Sequence, residues 1–247
     1  MANPPPTLIE QAYDAILGAI CDGRLAPSTR LNQDELAASL GISRQPVGQA
    51  LSLLKWQGFV RDTGRRGLIV APIDPDFFRA IYELREALDS LAATLAAQRC
   101  TRADAAEGRK LLAEGKAALR TGRIDALIDA DMRFHLWVCD VAGNPLLLEA
   151  MRLYWNHLRR AMGEALRDPA AQKRIWEEHE AVLRAIAARD PAAASRSARE
   201  HAREAGKTMA RAIPTPSARA LRGIIPLRPA RPAKGTSRDK AWTRERP

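Results

Sequence analysis

Residues 32–59 read NQDELAASLGISRQPVGQALSLLKWQGF, and this stretch decides the fold of the N-terminal part of the chain. Its pattern predicts two short helices joined by a tight turn. Asn32 can cap the first helix, and Glu35 lies three residues later, as in a capping box. Gly41 supplies the left-handed residue at which many helices end, and Ser43 then caps the second helix.

The second helix of this pair has two distinct faces. Apolar residues recur at i, i+3, i+4 and i+7, which predicts a buried stripe of Val47, Ala50, Leu51 and Leu54. The opposite face is polar, carries only positive charge, and consists of Arg44, Gln45, Gly48, Gln49, Ser52 and Lys55. A B-DNA major groove admits one α-helix, and Arg and Gln side chains match the edges of guanine and adenine. Taken alone, however, the pair fits an ordinary solvated helical hairpin equally well.

Two short β-prone runs, residues 59–61 and 68–70, follow the helix pair directly. They flank a basic tip bordered by glycines, so the sequence predicts a β-hairpin. A helix pair followed by a two-stranded wing is a DNA-docking arrangement, and two such domains read two half-sites. We therefore expect a homodimer bound to double-stranded DNA at an inverted-repeat operator. The predicted DNA-binding residues are Ser43, Arg44, Gln45, Gln49, Lys55, Arg65 and Arg66.

The rest of the chain up to residue 212 has a helical pattern without a convincing strand. Six helices with short turns predict an antiparallel bundle, and the prolines after Asp168 and Asp190 mark two boundaries. In the first of these helices, a spacing of four and three residues predicts an inward seam of Phe77, Ile81, Leu84, Leu88, Leu91 and Leu95. The predicted fold class is therefore mainly α, with an N-terminal winged helix-turn-helix of three helices plus a hairpin, followed by an all-α six-helix bundle.

Shifts in composition place the domain boundaries. Residues 1–7 are Pro-rich and residues 72–76 contain two prolines, so we expect a disordered N-terminus, a winged domain at 8–71 and a short linker. The bundle is expected at 77–212. Residues 213–247 carry nine Lys/Arg, two Asp/Glu and six Pro, which accounts for +7 of the net charge of +10. We expect a disordered basic tail there, either adding nonspecific affinity for nucleic acid or simply solvated.

Several classes of protein are disfavoured by what the sequence lacks. No apolar run approaches 18 residues and the N-terminus has no signal-peptide pattern, so we expect a cytoplasmic protein without membrane contact. Cys21, Cys100 and Cys139 are far apart and form no CxxC pair, as expected for reduced thiols. A Walker A loop, a Rossmann glycine fingerprint and a serine nucleophile elbow are missing from the sequence.

Three of the four histidines fall in a pattern typical of a metal site. Asp131 and His135 are i and i+4 on one helix, and therefore share a face. His179 and His201 each lie eleven residues from Asp190, so both stand roughly 16 Å from the turn between two antiparallel helices. Three imidazoles and one carboxylate suit a divalent transition metal, Zn²⁺ first and Ni²⁺ or Mn²⁺ as alternatives. The alternative is that these are hydrogen-bonded or surface histidines.

Residues 25–70, with LAPSTRL, DELAASLGISRQPVGQAL, GFV and GRRGLIV, resemble the winged helix-turn-helix of the GntR family of bacterial transcription regulators. DMRFHLWVCDVAGNPLLLEAM at 131–151 and EEHEAVLRAIAARDPAAASRSAREHA at 177–202 resemble the FCD ligand-binding domain of the FadR-type branch. The resemblance implies a transcription regulator, here expected to act as a repressor, and a small carboxylate effector bound at the metal. It also implies the metal ligands Asp131, His135, His179 and His201.

Two departures from the family pattern affect DNA recognition. Gly48 stands where most relatives carry a second groove-facing Arg, and Ser28-Thr29 replace the usual Gly-Glu. Arg44 matches the family's DNA-contacting Arg. We expect Gln45 and Gln49 to carry more of the base readout here, on an operator that departs from the typical family sequence.

The predicted effector site lies beside the metal. Arg85 aligns with an Arg that related domains turn into the pocket, where it could clamp a carboxylate; the alternative is a surface pair with Asp89. Tyr154 and Asn156 are expected to add an aromatic wall and a polar contact. His157 stays outside the ligand set, as a pocket-lining or structural residue.

Two other functions are open to the same residues. One is a metal-dependent enzyme, but Glu178 and Glu180 are spaced to point away from the ligand face, and Leu183 breaks a metalloprotease HExxH motif. The other is a regulator whose metal is purely structural. We expect no enzymatic activity and no catalytic residues.

Overall fold

The computed structural model describes residues 4–64 and 67–213. Its N-terminal part is a winged helix-turn-helix whose elements are α1 (Leu8–Cys21), β1 (Arg30–Leu31), α2 (Gln33–Leu40), α3 (Arg44–Trp56), β2 (Val60–Asp62) and β3 (Leu68–Val70). Thr7, which the sequence predicts to be disordered, caps α1 instead, because its side chain and that of Glu10 form a capping box. Residues 1–3 of the predicted disordered N-terminus and 214–247 of the predicted tail lie outside the described residues.

The helix pair α2 and α3 forms where the sequence predicts it. Asn32 caps α2 by accepting from the backbone N–H of Asp34 at 2.9 Å, and Gly41 ends it with φ 67°. The predicted capping box is incomplete, since Glu35 accepts from the Asn32 side chain at 2.9 Å rather than from its backbone. Ser43 stands at the N-cap of α3 without a side-chain capping bond.

The wing contains one strand more than the sequence predicts. Strands β2 and β3 pair as an antiparallel hairpin, and β1 joins the other edge of β3 to give the order β1-β3-β2. Because β1 is only two residues long, its sequence is too short to show the alternation of apolar and polar residues that predicts a strand.

Six helices make up the second domain, as predicted: α4 (Pro75–Arg99), α5 (Arg102–Thr121), α6 (Ile124–Ala142), α7 (Pro145–Ala165), α8 (Pro169–Ala187) and α9 (Pro191–Ala212). Three of them begin with an Asp-Pro pair, in which the carboxylate of Asp74, Asp168 or Asp190 accepts from a backbone N–H of the first turn. Proline fits the first helical position because the helix needs no N–H there. For this reason α4 starts at Pro75, inside the predicted linker.

The predicted seam of α4 is wrong at three of its positions. Phe77, Leu84 and Leu91 are 43%, 50% and 45% exposed. The buried face of α4 instead includes two charged residues, Arg85 and Asp89. A pattern search that looks for an apolar stripe misplaces a helix whose polar residues face inward.

Tryptophans on α6 and α8 pack against glycines of α5. A Cβ atom added at Gly115 would lie 1.9 Å from the ring of Trp176, and one at Gly108 would lie 2.6 Å from the ring of Trp137. Only glycine permits these close approaches, which bring α5 against the two helices that carry His135 and His179.

The apolar side chains form two separate cores, one in the winged domain and one in the bundle. Within the described part of the chain, no helix combines the length and apolarity needed for a membrane span. Each domain therefore has a packed interior of its own, and the candidate metal site lies within the interior of the bundle.

Candidate DNA-binding face and metal centre

Helix α3 presents the predicted DNA-binding residues to solvent. Exposed side chains on this face are Ser43, Arg44, Gln45, Gln49 and Lys55. The Arg44 guanidinium lies 3.1 Å from the carboxylate of Asp34, and the Lys55 ammonium 2.5 Å from that of Asp62. Exposed ion pairs of this kind are worth about 0–1 kcal/mol, so a phosphate or a base edge can replace the carboxylate.

The amide of Gln33 covers Gly48. A Cβ atom at Gly48 would meet the Gln33 Nε2 at 2.7 Å, and the same Nε2 donates to the Arg44 carbonyl at 2.6 Å. A polar side chain from α2 thus occupies the space that a larger residue at position 48 would need. Gln33 carries no sequence signal for this role, because nothing in its own helix indicates that it reaches α3.

The wing tip is described only in part. Gly64 has φ 77°, and the Thr63 N–H donates to the Gly67 carbonyl at 2.9 Å. These two features close the loop between β2 and β3. Arg65 and Arg66 lie outside the described residues, and their contact with DNA stays a prediction.

Three imidazoles meet in the interior of the bundle. His135 on α6, His179 on α8 and His201 on α9 are buried, and their candidate ligand nitrogens lie within 4.8 Å of one another. The Nε2 atoms of His135 and His201 are 3.3 Å apart. The rings of His179 and His201 have centroids 4.6 Å apart, in keeping with their equal distance from the Asp190 turn.

Asp131 lies beside this histidine cluster. Its carboxylate oxygens are 3.4 Å from the Nε2 of His179 and 3.9 Å from that of His135. It does not belong to the group whose ligand atoms are all mutually within 4.8 Å, so its ligand role stays a proposal. Burial raises the pKa of the Asp131 carboxyl to about 6, although the nearby His201 and Arg85 act in the opposite direction.

His179 has the strongest geometric signature of a metal ligand. It is 0% exposed, and neither of its ring nitrogens has a hydrogen-bond partner among the described residues. Buried polar atoms are nearly always paired. Burial also lowers the pKa of the His179 ring well below 6.5, and the pKa of His135 likewise. Neutral rings offer the lone pairs that a metal ion needs, so these residues fit the metal that the resemblance implies.

Glu178 orients His201 within the histidine cluster. Its Oε2 lies 2.9 Å from the Nδ1 of His201, a carboxylate contact of the kind that fixes the ring and directs the other nitrogen at a metal. The prediction that Glu178 points away from the ligand face is therefore wrong, because this contact depends on how α9 packs on α8. Glu180 instead pairs with Lys116 at 2.8 Å.

Arg85 and Asp89 form an ion pair inside the bundle. The Arg85 Nε donates to the Asp89 carboxylate at 3.1 Å, and its Nη2 lies 3.3 Å from the Nε2 of His135. The i, i+4 pair that the surface alternative expects is therefore present, but both side chains are buried, with 4% and 7% exposure. Arg85 consequently borders the histidine cluster.

The other two predicted effector residues occupy different surroundings. Tyr154 is buried, and desolvation raises the pKa of its hydroxyl, with Asp89 adding to the shift. The backbone carbonyl of Asn156 accepts from the Cys21 thiol at 3.4 Å, which places Asn156 against the winged domain. Its position therefore does not support a contact with an effector beside the histidines.

Two small cavities flank the histidine cluster, each about 20 Å³ in volume. The first, the apolar cavity, has mostly apolar walls that include Phe134, Val138, Cys139, Met151, Val182 and Ala198. The second, the polar cavity, includes Tyr82, Arg85, Asp131, Met162 and Thr208. A volume of this size holds about one water molecule.

Comparison with known proteins assigns both halves of the chain. Residues 8–70 match the family described as bacterial regulatory proteins of the gntR family, and residues 80–204 match the FCD domain. The Nta operon transcriptional regulator of Aminobacter aminovorans is 33% identical over 137 residues, which are 55% of this chain and 64% of that protein. The alignment thus spans slightly less than two thirds of that relative.

A longer sequence match agrees with this assignment, and a solved structure has the same fold. The putative L-lactate dehydrogenase operon regulatory protein of Escherichia coli (strain K12) is 29% identical over 208 residues, 74% of this chain and 79% of that protein. The structure of E. coli McbR/YncC superposes with a TM-score of 0.72 at 22% identity and covers 84% of this chain and 99% of its own; at that identity it supports the fold alone. The chain belongs to the GntR family of bacterial regulatory proteins, with an FCD domain as its C-terminal half.

Proposed function

We propose that this chain is a cytoplasmic transcription regulator, acting as a repressor, whose affinity for its operator is set by a small organic acid bound at a divalent metal ion. The observation that carries the metal part is His179, a fully buried imidazole with two unpaired nitrogens among the described residues. It faces two further buried imidazoles, His135 and His201. Without a ligand, burying these imidazoles would cost desolvation free energy that no other interaction offsets.

The DNA-binding part rests on α3. In this proposal Arg44, Gln45 and Gln49 contact base edges in the major groove, while Ser43 and Lys55 join Arg65 and Arg66 of the wing in contacting the backbone. Two copies of the winged domain read an inverted repeat as a homodimer. Exposed leucines on α4, Leu84 and Leu91, offer apolar surface that a second copy can cover.

The metal part uses the histidine cluster and Asp131. His135, His179 and His201 would hold the ion as neutral nitrogen ligands, and Asp131, whose carboxylate lies 3.4 Å from the Nε2 of His179, would complete the set. Zn²⁺ suits three nitrogens and one oxygen best, with Ni²⁺ or Mn²⁺ as alternatives. When bound, the ion supplies a positive charge to which an acid can bind.

Charge balance in the interior supports a carboxylate effector. Arg85 is matched by Asp89, at 3.0 Å, which leaves the Asp131 carboxylate as the unmatched charge beside the histidines. With the nearby Glu178 balanced by Arg174 at 3.8 Å, a divalent ion changes the net charge of these groups from −1 to +1, and a monocarboxylate then neutralises it. Arg85 is placed to share its guanidinium between Asp89 and the incoming acid.

The two alternatives to this proposal make different predictions. A metal-dependent enzyme needs an acid or base beside the ion, but Glu178 is engaged by His201 and Glu180 by Lys116. A purely structural ion fits the small volume of the two cavities. Such an ion would stabilise the fold without any response to organic acids.

Selection of bound duplexes from a random pool, with the Zn²⁺-loaded chain, tests the proposal directly. We expect enrichment of an inverted repeat, and a change in its affinity when one member of a panel of small carboxylic acids is added. Repeating the selection with His179→Leu, which should bind DNA but not respond to acid, is the matched control. Enrichment without any acid response would favour the structural ion, and no enrichment would refute the DNA-binding role.

A further inference from the structure

Helix α7 contacts both the cavities beside the histidine cluster and the winged domain. Met151 forms part of the wall of the apolar cavity, and Met162 and Ala165 form part of the wall of the polar cavity. Residues 156–160 of the same helix contact the winged domain. The contacts with the winged domain lie between the cavity-lining residues of this continuous helix, so α7 connects the two sites physically.

The contact with the winged domain is centred on His157. Its ring stacks on Phe59 with centroids 3.9 Å apart and an angle of 8° between the planes. The Phe77 ring meets it at 73°, with a centroid distance of 4.8 Å. Its Nε2–H donates to the Gln57 carbonyl at 3.0 Å. Gln57 is the C-cap of α3 and Phe59 precedes β2, so His157 holds the junction between the recognition helix and the wing.

Three further contacts surround this ring. The Arg159 guanidinium pairs with Asp22 at 2.8 Å, at the end of α1. Arg160 donates to the Ala71 carbonyl, at the end of the wing. Together with the Cys21–Asn156 bond, they attach one stretch of α7 to the start, the middle and the end of the winged domain.

The cavities must enlarge before they can hold an organic acid. Each has room for about one water molecule, whereas even a small acid has several non-hydrogen atoms. The proposed metal ligands come from α6, α8 and α9, and none comes from α7. The ion would therefore tie three cavity-lining helices together without any bond to α7. Its Met151 and Met162 side chains are flexible and adapt readily to a new neighbour.

We infer that α7 is the element that couples the metal site to DNA binding, and that His157 is the residue that transmits its movement to α3. This inference rests on the proposed function and adds how binding at the metal site is transmitted to the recognition helix. An acid that enters beside the histidine cluster displaces α7, and the stacked His157 moves the end of the recognition helix with it. Operator affinity then changes because α3 is repositioned relative to the rest of the dimer.

A cavity-filling substitution tests the coupling without knowledge of the effector. Ala198→Leu on α9 enlarges a side chain in the wall of the apolar cavity and should push α7 as an acid would. In the full-length Zn²⁺-loaded chain, we expect faster hydrogen exchange at the backbone amides of Phe59 and Ala71, which bond to Leu54 and Phe59 carbonyls at 2.8 and 2.9 Å. Affinity for the selected duplex should change about 5- to 150-fold.

Combining Ala198→Leu with His157→Ala isolates the role of His157 as a double-mutant cycle. We expect the amides and the duplex affinity to stop responding to Ala198→Leu in the His157→Ala background. The matched control is Arg152→Ala, an exposed α7 residue whose ion pair with Glu149 stays within the helix; in that background the full response should remain. A response that persists in His157→Ala would overturn the inference.

A milder filling, Ala92→Val, replaces Ala198→Leu if the latter fails to fold. Ala92 lines the same cavity from α4. No change in amide exchange with a folded filling variant would also overturn the coupling. Failure of the coupling can be distinguished from failure of the proposed function, because amide exchange is measured without DNA. If the unmodified chain binds no Zn²⁺ or selects no duplex, the regulator proposal is refuted. If the amides at the end of α3 do not respond to a filling variant, only the coupling is refuted.

Discussion

Replacing His179 with leucine should change the stability of this protein in opposite directions with and without metal. The imidazole is enclosed between Phe134, at a centroid distance of 4.4 Å, and Trp176, at 4.9 Å. A leucine side chain has nearly the same volume and no polar atoms. His179→Leu therefore removes the unpaired nitrogens without opening a large cavity.

The expected magnitude without metal follows from those nitrogens. A neutral imidazole has one donor and one acceptor, and each unpaired buried group costs about 1–3 kcal/mol. At about 1 kcal/mol for each of the two groups, removing them stabilises the metal-free chain by about 2 kcal/mol. Losing the ring costs about 1 kcal/mol of aromatic packing. The metal-free variant should thus be more stable by about 1 kcal/mol, a rise in Tm of about 2–4 °C.

Bound metal should make the unmodified chain more stable than the variant. At a hundredfold excess over its Kd, an ion that binds only the folded chain stabilises it by about 2.7 kcal/mol. The variant lacks a ligand, so the unmodified chain should become the more stable of the two by about 1.7 kcal/mol, the 2.7 gained less the 1 above. Calorimetric melting of both chains in a chelator, and again in Zn²⁺, measures the two orders directly.

The control for this prediction is His157→Leu. His157 is a buried histidine like His179, but it contacts the winged domain, so this variant should keep the full Zn²⁺ shift. An equal Zn²⁺ shift in His179→Leu and the unmodified chain would refute the ligand role of His179. A variant that is less stable in chelator would instead show that its nitrogens are paired in solution.

Four shorter predictions address other parts of the molecule. Arg44→Ala should weaken binding to the selected duplex by about 1–3 kcal/mol in a filter-binding assay. An unchanged affinity would contradict the assignment of α3 as the helix that enters the groove. Gly48→Ala should change Tm little, because the roughly 1 kcal/mol that alanine gains in a helix interior is offset by displacing the hydrogen bond from Gln33 to the Arg44 carbonyl, worth about 0.5–1.5 kcal/mol. Gly115→Ala should lower stability in denaturant melts by about 1–3 kcal/mol, because the new methyl group would lie 1.9 Å from the Trp176 ring. Burial lowers the pKa of His157 from 6.5 to about 4, so the unfolded chain takes up a proton first. Stability should therefore fall as pH drops from 6.5 to 4, and melts of His157→Phe should lose that part of the pH dependence.

Local signals account for what the sequence predicts well. Helix ends at Gly41, Asp168 and Asp190 depend on a few consecutive residues, and each has the backbone conformation or capping bond that its residue type favours. The meeting of His179 and His201 was also predictable, because two antiparallel helices joined by a short turn bring equidistant residues level.

Helix α4 shows where pattern reading fails. Its leucines at 84 and 91 suggest an inward stripe, yet the helix buries Arg85 and Asp89. A charged residue is assigned to the surface by default, because burying it without partners is costly. Here the partners are present but lie on the same helix and on α6, and a sequence cannot show that they are enclosed together.

Glu178 and His157 were beyond prediction for a related reason. Glu178 acts through His201 of the next helix, and His157 through Phe59, almost a hundred residues earlier in the chain and in the other domain. Spacing within one helix defines which residues share a face, but not which neighbour that face meets. Both contacts depend on the packing of elements whose relative placement the sequence does not specify.

The buried charges of the bundle argue that its interior is kept for binding rather than for stability. A buried ion pair is often no more stabilising than apolar residues of the same volume, and Arg85 with Asp89 occupies core positions that leucines could fill. Nearby, the Asp131 carboxylate lies 3.4 Å from the Nε2 of His179, and among the described residues neither nitrogen of His179 has a hydrogen-bond partner. In the proposed function, a cation and its anion complete this core. Under that proposal, the free energy that these ligands add on binding is available to move α7, so the site that the ligands stabilise can also signal.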